Sequence, residues 1–325
     1  MANIREIAKA AQVSVTTVSR VLNGHPYVSV EKRQRVEEAM RQAGYSPNSN
    51  AVHLATGKTG MVGVVLPYSH HPYFHALLGG LMEEALKHQY TALLCQTNYE
   101  AETERHYLEM LRTKQVDGLI LCSHELPWPD ILPYAANGPI AACEFVPHPE
   151  ISAVYTPHYA AFLEGMRYLA ARGHRRIGYC IGRRDSESSR QRYAAYTDAL
   201  KEINEPLRED WIFEGCVQFS DGIKVLDQLM HMEDRPTALL VTGDEAAAGV
   251  LARSRQLGIA IPGQLAIVGF DNQPISEALE LTTIDQHLHE IGRQAFKAFY
   301  RKAAQQDKTP CRMEIPFELI ERASV

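Results

Sequence analysis

The sequence predicts an α/β protein: a three-helix unit at the N-terminus, a short linker, and a large core of two doubly wound parallel-sheet halves. Three observations carry that expectation. Apolar residues recur at helical spacing in three short stretches before residue 45. From Met61 onward, short continuously apolar runs alternate with longer helical stretches, and the series runs through twice. Strands of that kind, joined by helices, belong to parallel sheets covered on both faces. The 325 residues also exceed the roughly 100–200 of one ordinary domain, so more than one folding unit is required.

The first helix is read from Ile4, Ile7, Ala8 and Ala11, spaced i, i+3, i+4, i+7. Gln12-Val13 interrupts it, and Ser14 stands where the N-cap of a second helix belongs. In that helix Val18, Val21 and Leu22 point inward, leaving Thr16, Thr17 and Arg20 outside, before Asn23-Gly24 ends it. A third runs from near Ser29 to Gly44 with Val36, Ala39, Met40 and Ala43 on its inner side. A tight connection between the first two makes a helix-turn-helix unit. Its exposed residues suit DNA. The planar fork of Arg20 matches guanine O6 and N7 in the major groove. Ser14, Thr17, Ser19 and Asn23 offer phosphate hydrogen bonds, which position without specifying.

The overall charge argues otherwise until it is divided. With 33 bases against 39 acids the chain carries −6, which taken whole disfavours a nucleic-acid partner. Residues 1–60 hold eight bases and four acids, a net of +4, which leaves −10 on residues 61–325. A basic unit joined to an acidic core places a polyanion contact at one end of the chain. The six cysteines form no C-x-x-C pair, and several close apolar runs such as Leu93-Leu94-Cys95. That is the pattern of reduced, buried thiols and a cytoplasmic protein, not of a disulfide framework or a zinc site. No apolar run reaches the roughly 18–20 residues of a membrane helix, and Met1–Glu6 has no apolar signal core, so no membrane partner is expected.

The core opens with strand and helix stretches at 61–67, 73–89, 92–96, 101–114, 118–122 and 140–144. The series resumes at 159–172, 177–182, 188–203, 219–232, 238–242, 245–257 and 265–271. Each half ends a strand with an aromatic beside a carboxylate: Glu144-Phe145 and Phe270-Asp271. Ligands of open α/β sheets bind beyond the carboxyl ends of the strands. Carboxylates accept from neighbouring hydroxyls and aromatic faces cover apolar ring edges, so two such sets describe a cleft for a small polar molecule. Gly57-Lys58-Thr59 ends like a phosphate-binding loop, but Val52 stands where the first glycine is needed and a strand follows rather than precedes it. His70, His71 and His75, and His287 with His289, lack the spacing of a metal site; the first three stand near the expected cleft mouth, within reach of a ligand.

The run Ile4–Ala11 followed by Val13-Ser14-Val15-Thr16-Thr17-Val18-Ser19-Arg20-Val21-Leu22-Asn23-Gly24 closely resembles the DNA-binding headpiece of the lactose-repressor (LacI/GalR) family. Val28-Ser29, Arg33, Val36 and Gly44-Tyr45-Ser46-Pro47-Asn48 continue the match. The resemblance extends through Val64–Pro67, Pro72-Tyr73-Phe74, Val116-Asp117-Gly118, Arg172–Gly178, Val268–Asn272 and Leu281–Ile284, landmarks of the family's periplasmic-binding-protein-like core. It implies that Val15, Thr16 and Arg20 read bases, and that residues 48–57 form a hinge helix whose Leu54 wedges into the minor groove. Such a short helix is expected to fold only on DNA beside a second subunit. Gln12 stands where glycine is common in the turn, a departure expected to matter little, and Val52-His53 stands where the family often has an arginine. The resemblance further implies an effector cleft containing Tyr73, Phe74, Glu144, Phe145, Arg192 and Asp271.

The expected organisation is a headpiece (1–47), a hinge and linker (48–59), one core half (60–156 with 287–317) and a second (157–286 with 318–325). The expected function is a homodimeric regulator, a repressor, that binds an inverted-repeat operator in double-stranded DNA and answers to a sugar-like effector. No metal or other cofactor is expected. The family also has members served by a phosphoprotein co-regulator, and that partner stays open here. The competing readings are a Rossmann-like enzyme or a solute-binding protein with an appended helical unit. The first lacks G-x-G-x-x-G, a complete Walker A and G-x-S-x-G, and the second lacks a signal peptide.

Overall fold

The computed structural model describes residues 3–22, 25–45, 53, 57–304 and 309–325. Asn23, Leu54 and nearly all of the expected hinge helix lie outside the described residues. The chain divides into two compact units, residues 1–59 and 60–325.

The N-terminal unit holds α1 (Ile4–Ala10), α2 (Val15–Leu22) and α3 (Val30–Ala43). Asn3 and Glu6 make a reciprocal cap on α1. Ser14 Oγ accepts from the Thr17 N–H at 3.1 Å, and Gly44 closes α3 in the left-handed conformation that glycine adopts without strain. Ile7, Ala8, Ala11, Val18, Val21, Val36 and Ala39 form its small core. Gln12 sits in the turn at φ +53°, a backbone region that strains any side chain but glycine, so the departure at this position carries a local strain.

The second unit is α/β. Its first half has β1 (Met61–Leu66), α4 (Pro72–Lys87), β2 (Thr91–Gln96), α5 (Ala101–Arg112), β3 (Gly118–Leu121), α6 (Trp128–Ile131), β4 (Ile140–Ala142) and β5 (Ser152–Tyr155). The second half has α7 (His158–Ala171), β6 (Ile177–Cys180), α8 (Glu187–Glu202), β7 (Ile212–Phe213), α9 (Phe219–Met230), β8 (Ala238–Val241), α10 (Asp244–Leu257), β9 (Ala266–Phe270), α11 (Pro274–Ala278) and β10 (Thr282–Asp285). The chain then returns through α12 (Leu288–Ala304) and β11 (Arg312–Glu314) before ending with β12 (Glu318–Ile320).

Among the described residues the strands form two six-stranded sheets, ordered β11-β5-β4-β3-β1-β2 and β12-β10-β9-β8-β6-β7. Every pairing is parallel except β10 with β12. Strand β11 therefore belongs to the first sheet and β12 to the second, while α12 packs against α4. Close approach of those two helices depends on glycine: a Cβ on Gly80 would fall 1.8 Å from the His289 carbonyl oxygen. The central strands are buried on both faces, the edge strands β2, β11 and β12 are not, and helices cover the sheets with separate apolar clusters above and below each.

Candidate functional site

In the N-terminal unit, Val18 and Val21 anchor α2 in the core and turn Val15, Thr16 and Arg20 outward. Thr16 and Arg20 are four residues apart and share a face of the helix. Ser14 is exposed, and its hydroxyl is 2.9 Å from that of Thr17 as well as capping the helix. Ser19 and Thr17 are half-buried. Arg33 Nη2 donates to the His25 carbonyl at 3.1 Å and fixes the loop after α2 against α3. The arrangement leaves a helix N-terminus, two hydroxyls and a guanidinium on one surface, the equipment of a major-groove reader.

In the core, the carboxyl ends of strands from both sheets converge on a cavity of about 150 Å³. Tyr73 and Phe74 reach it from the start of α4, Glu144 from beyond β4, Arg192 from the second turn of α8, and Asp271 from the end of β9. Phe145 does not line it. Its ring is turned away, edge-on to Tyr155 at 5.3 Å with the Arg312 guanidinium 5.3 Å from its centroid. The aromatic of the second strand-end pair is likewise a support: Phe270 lies beneath Arg192, 4.7 Å from its guanidinium carbon. In both halves it is the carboxylate that faces the cavity.

Arg192 is buried, and its Nη2 donates to His158 Nδ1 at 3.2 Å. Arginine only donates, so this contact fixes the proton of His158 on Nε2. Burial, with Arg192 beside it, pushes the His158 imidazole well below its ordinary range. Arg192 Nε is buried without a hydrogen-bond partner among the described residues. Asp271 accepts from Gln273 Nε2 at 3.1 Å and from Gln286 Nε2. Burial first, then the negative charge of Asp244, pushes its carboxyl well above the usual range, and Arg192 opposes that shift. Asp244 itself is pushed up to about 7, chiefly by burial. Asp271 also has φ +104°, a strained conformation of the kind that clusters at ligand sites. Burial, and then Asp271, raise the Tyr73 phenol well above its ordinary range.

Glu144 faces these groups from the first half, its carboxyl raised by burial. Its Oε1 lies 3.3 Å from His124 Nε2 without the alignment of a hydrogen bond, and has no hydrogen-bond partner among the described residues. His124 Nδ1 contacts the Leu126 carbonyl at 2.7 Å and so carries a proton. Nε2 then faces a carboxylate oxygen, an arrangement that repels unless one of the two groups holds a further proton. His71 lines the same cavity: its Nδ1 accepts from the Tyr73 N–H at 3.2 Å, capping α4, and its Nε2 reaches the Val217 carbonyl of the other half at 3.2 Å. His70 and His75 line a different cavity, with Glu245 and residues 271–275.

His158, Gln273 and Gln286 escape sequence reasoning because nothing in their spacing marks them. His158 opens a helix after a proline, and the two glutamines become partners of Asp271 only through the turn of β9 and the end of β10.

Residues 3–48 match the family described as bacterial regulatory proteins, lacI family, and residues 59–323 match the periplasmic binding proteins and sugar binding domain of the LacI family. The chain belongs to the LacI family. It is a DNA-binding transcription regulator whose core is a sugar-binding domain of the periplasmic-binding-protein type. It is 41 % identical over 325 residues, the whole of both chains, to the uncharacterised HTH-type transcriptional regulator YkvZ of Bacillus subtilis strain 168. It superimposes on the lac repressor dimer bound to operator and the anti-inducer ONPF with a TM-score of 0.87, at 24 % identity, over 99 % of this chain and 98 % of that one. A LacI-family regulator from Lactobacillus casei with bound sucrose matches at a TM-score of 0.75 and 25 % identity, over 82 % of this chain and 99 % of that one. Among the described residues no helix is long and apolar enough to cross a membrane.

Proposed function

We propose that this LacI-family member represses transcription as a homodimer bound to an inverted-repeat operator, and that an uncharged, hydroxyl-rich effector of the sugar class controls it from the core cleft. One observation carries the effector reading. Arg192 Nε from one half and Glu144 Oε1 from the other are buried at the cavity and lack hydrogen-bond partners among the described residues. Unmet buried polar atoms are rare and costly, and a ligand offering both acceptors and donors satisfies them together. A sugar hydroxyl does both. The carboxyls of Glu144 and Asp271 offer acceptors to ligand hydroxyls, and Arg192 offers donors to ligand oxygens. The L. casei regulator with bound sucrose is in keeping with this class.

The dimer is supported by exposed apolar side chains on the first half: Met82 and Leu86 on α4, and Leu94 on the edge strand β2 packed beside it. A two-fold dimer presents two headpieces to two half-sites, which makes the operator an inverted repeat. The headpiece spans residues 1–47 and residues 48–59 form the hinge, with Leu54 bending the duplex. Effector binding biases the two core halves between open and closed forms, and the protein acts by binding alone.

A thermal-shift screen of the full chain against neutral sugars, sugar phosphates, uronic acids and nucleobases tests the effector class. A neutral sugar is expected to raise the melting temperature, because a ligand of the native state stabilises it by mass action. A shift confined to phosphates or nucleobases would overturn the reading. The operator reading rests on Arg20. Its replacement by alanine removes about 1–3 kcal/mol of base discrimination per half-site, read by fluorescence anisotropy as a narrowed gap between operator and scrambled duplex. Effector binding stays intact. An unchanged gap would show that Arg20 does not read the bases.

A further inference from the structure

Arg183 follows β6 in the second half of the core, yet its side chain makes its contacts in the first. The guanidinium carbon lies 3.6 Å from the centroid of the Tyr99 ring, Nη2 donates to the His124 carbonyl at 3.2 Å, and Nη1 pairs with Glu125. Each of these partners is held in turn. The Tyr99 hydroxyl is 3.2 Å from that of Ser123, and the Glu125 N–H donates to Glu104 of α5 at 2.7 Å. His124 is the residue whose ring faces Glu144. One side chain therefore grips the segment 123–125 by its backbone and by its charge. Arg183 also lines both the effector cavity and a second cavity of about 620 Å³ outside it, which includes Trp128, His148 and Arg190. It stands at the boundary between the two.

We propose that Arg183 is the clamp that holds the two core halves closed over the effector cavity, a positioning residue that sets Tyr99 and the His124–Glu144 pair against the ligand. The proposal rests on the reading of this cleft as the effector site. Arginine suits the task because its flat guanidinium stacks on an aromatic face while its edge donates to a carbonyl and a carboxylate at once; the compact ammonium of lysine cannot do both. Arg183 and Glu125 remain about one-third exposed, 32 % and 41 % by side chain, so the clamp is sensitive to salt and can open. A part-exposed ion pair with a stacked cation shifts an open–closed equilibrium by about tenfold.

Hydrogen–deuterium exchange of the full-length protein, with no ligand added, tests the clamp independently of the effector's identity. In Arg183→Ala the amides of residues 123–126 and 182–186 are expected to exchange about tenfold faster, while β1, β3, β6 and β8 keep their protection. Arg183→Lys is expected to recover only part of the difference. The reversed pair Arg183→Glu with Glu125→Arg is expected to exchange more slowly at both segments than Arg183→Glu alone, a rescue that a merely structural role would not produce. Unchanged exchange at both segments in Arg183→Ala would overturn the proposal. So would faster exchange spread through the core strands, which signals lost stability rather than an opened cleft. Neither outcome touches the thermal-shift test of the effector site.

Discussion

Arg192→Ala is expected to lower affinity for the effector identified by the thermal-shift screen by at least about a hundredfold, the scale of losing charge-assisted hydrogen bonds in a buried site. The argument is one of neighbours. Arg192 holds His158 through Nη2, offers an unpaired Nε to the cavity, and opposes the rise in the Asp271 carboxyl. Removing it withdraws a ligand donor, takes away the cation that opposes the rise in Asp271, and leaves His158 Nδ1 buried without its donor, a loss of about 1–3 kcal/mol for the unsatisfied acceptor. The loss depends on pH. A carboxyl whose folded-state pKa is raised contributes stability below its unfolded value, and that contribution is lost as pH rises toward the folded value. The substitution raises Asp271 further. It also removes a positive charge that holds down His158, which lightens the acid-side penalty of that residue. The difference in melting temperature between wild type and variant should therefore be larger at pH 8 than at pH 5. Isothermal calorimetry gives the affinity and differential scanning calorimetry the pH trend. Unchanged affinity removes Arg192 from the site; a pH-independent difference means that Asp271 and His158 do not feel it.

Much of this arrangement is legible in the sequence, and the illegible part has physical causes. The long apolar runs of β1, β3, β6, β8 and β9 announce themselves because both of their faces are buried. Strands β7, of two residues, and β11, Arg312-Met313-Glu314, escape because edge strands are short or polar and carry no such run. The strand-end carboxylates Glu144 and Asp271 stand out by their repeated position beside an aromatic. The same repetition misleads over Phe145: β4 ends at Ala142, and past the bend at 143–144 the Phe145 ring packs on Tyr155 and Arg312 while the Glu144 carboxyl faces the cleft. Arg183 is invisible for a different reason. It is one of two consecutive arginines after a strand, and only the tertiary fold shows that Arg183 crosses the cleft while Arg184 pairs with Glu209 and Glu214 of its own half. Local pattern records what a residue does to its own element. Contacts between the halves leave no such trace.

A pair of neighbouring glycines on α4 shows how far the cleft depends on helix packing. Gly80→Ala is expected to destabilise the protein by about 3 kcal/mol or more, at or above the usual cost of overpacking a core. Gly79→Ala is expected to leave stability unchanged or raise it by up to about 1 kcal/mol, the ordinary preference of a helix for alanine. The same residue type at adjacent positions thus acts in opposite directions. A Cβ at Gly79 meets only the edge of the His289 ring at 3.4 Å. At Gly80 it falls 1.8 Å from the His289 carbonyl oxygen and 3.0 Å from the Arg293 nitrogen. Carbon and oxygen rest no closer than about 3.3 Å, so α4 and α12 must separate by more than an ångström. Backbone cannot rotate aside as a side chain would. The reverse contact is as tight, with a Cβ on Gly292 falling 2.0 Å from the Leu77 carbonyl oxygen. Since α4 begins at the cleft with the His71 cap, Tyr73 and Phe74, its displacement should weaken effector binding as well as stability. Urea unfolding of both variants, with calorimetric titration of the effector, reads the two effects together. Equal stability of the two variants would mean that the helices do not cross at Gly80.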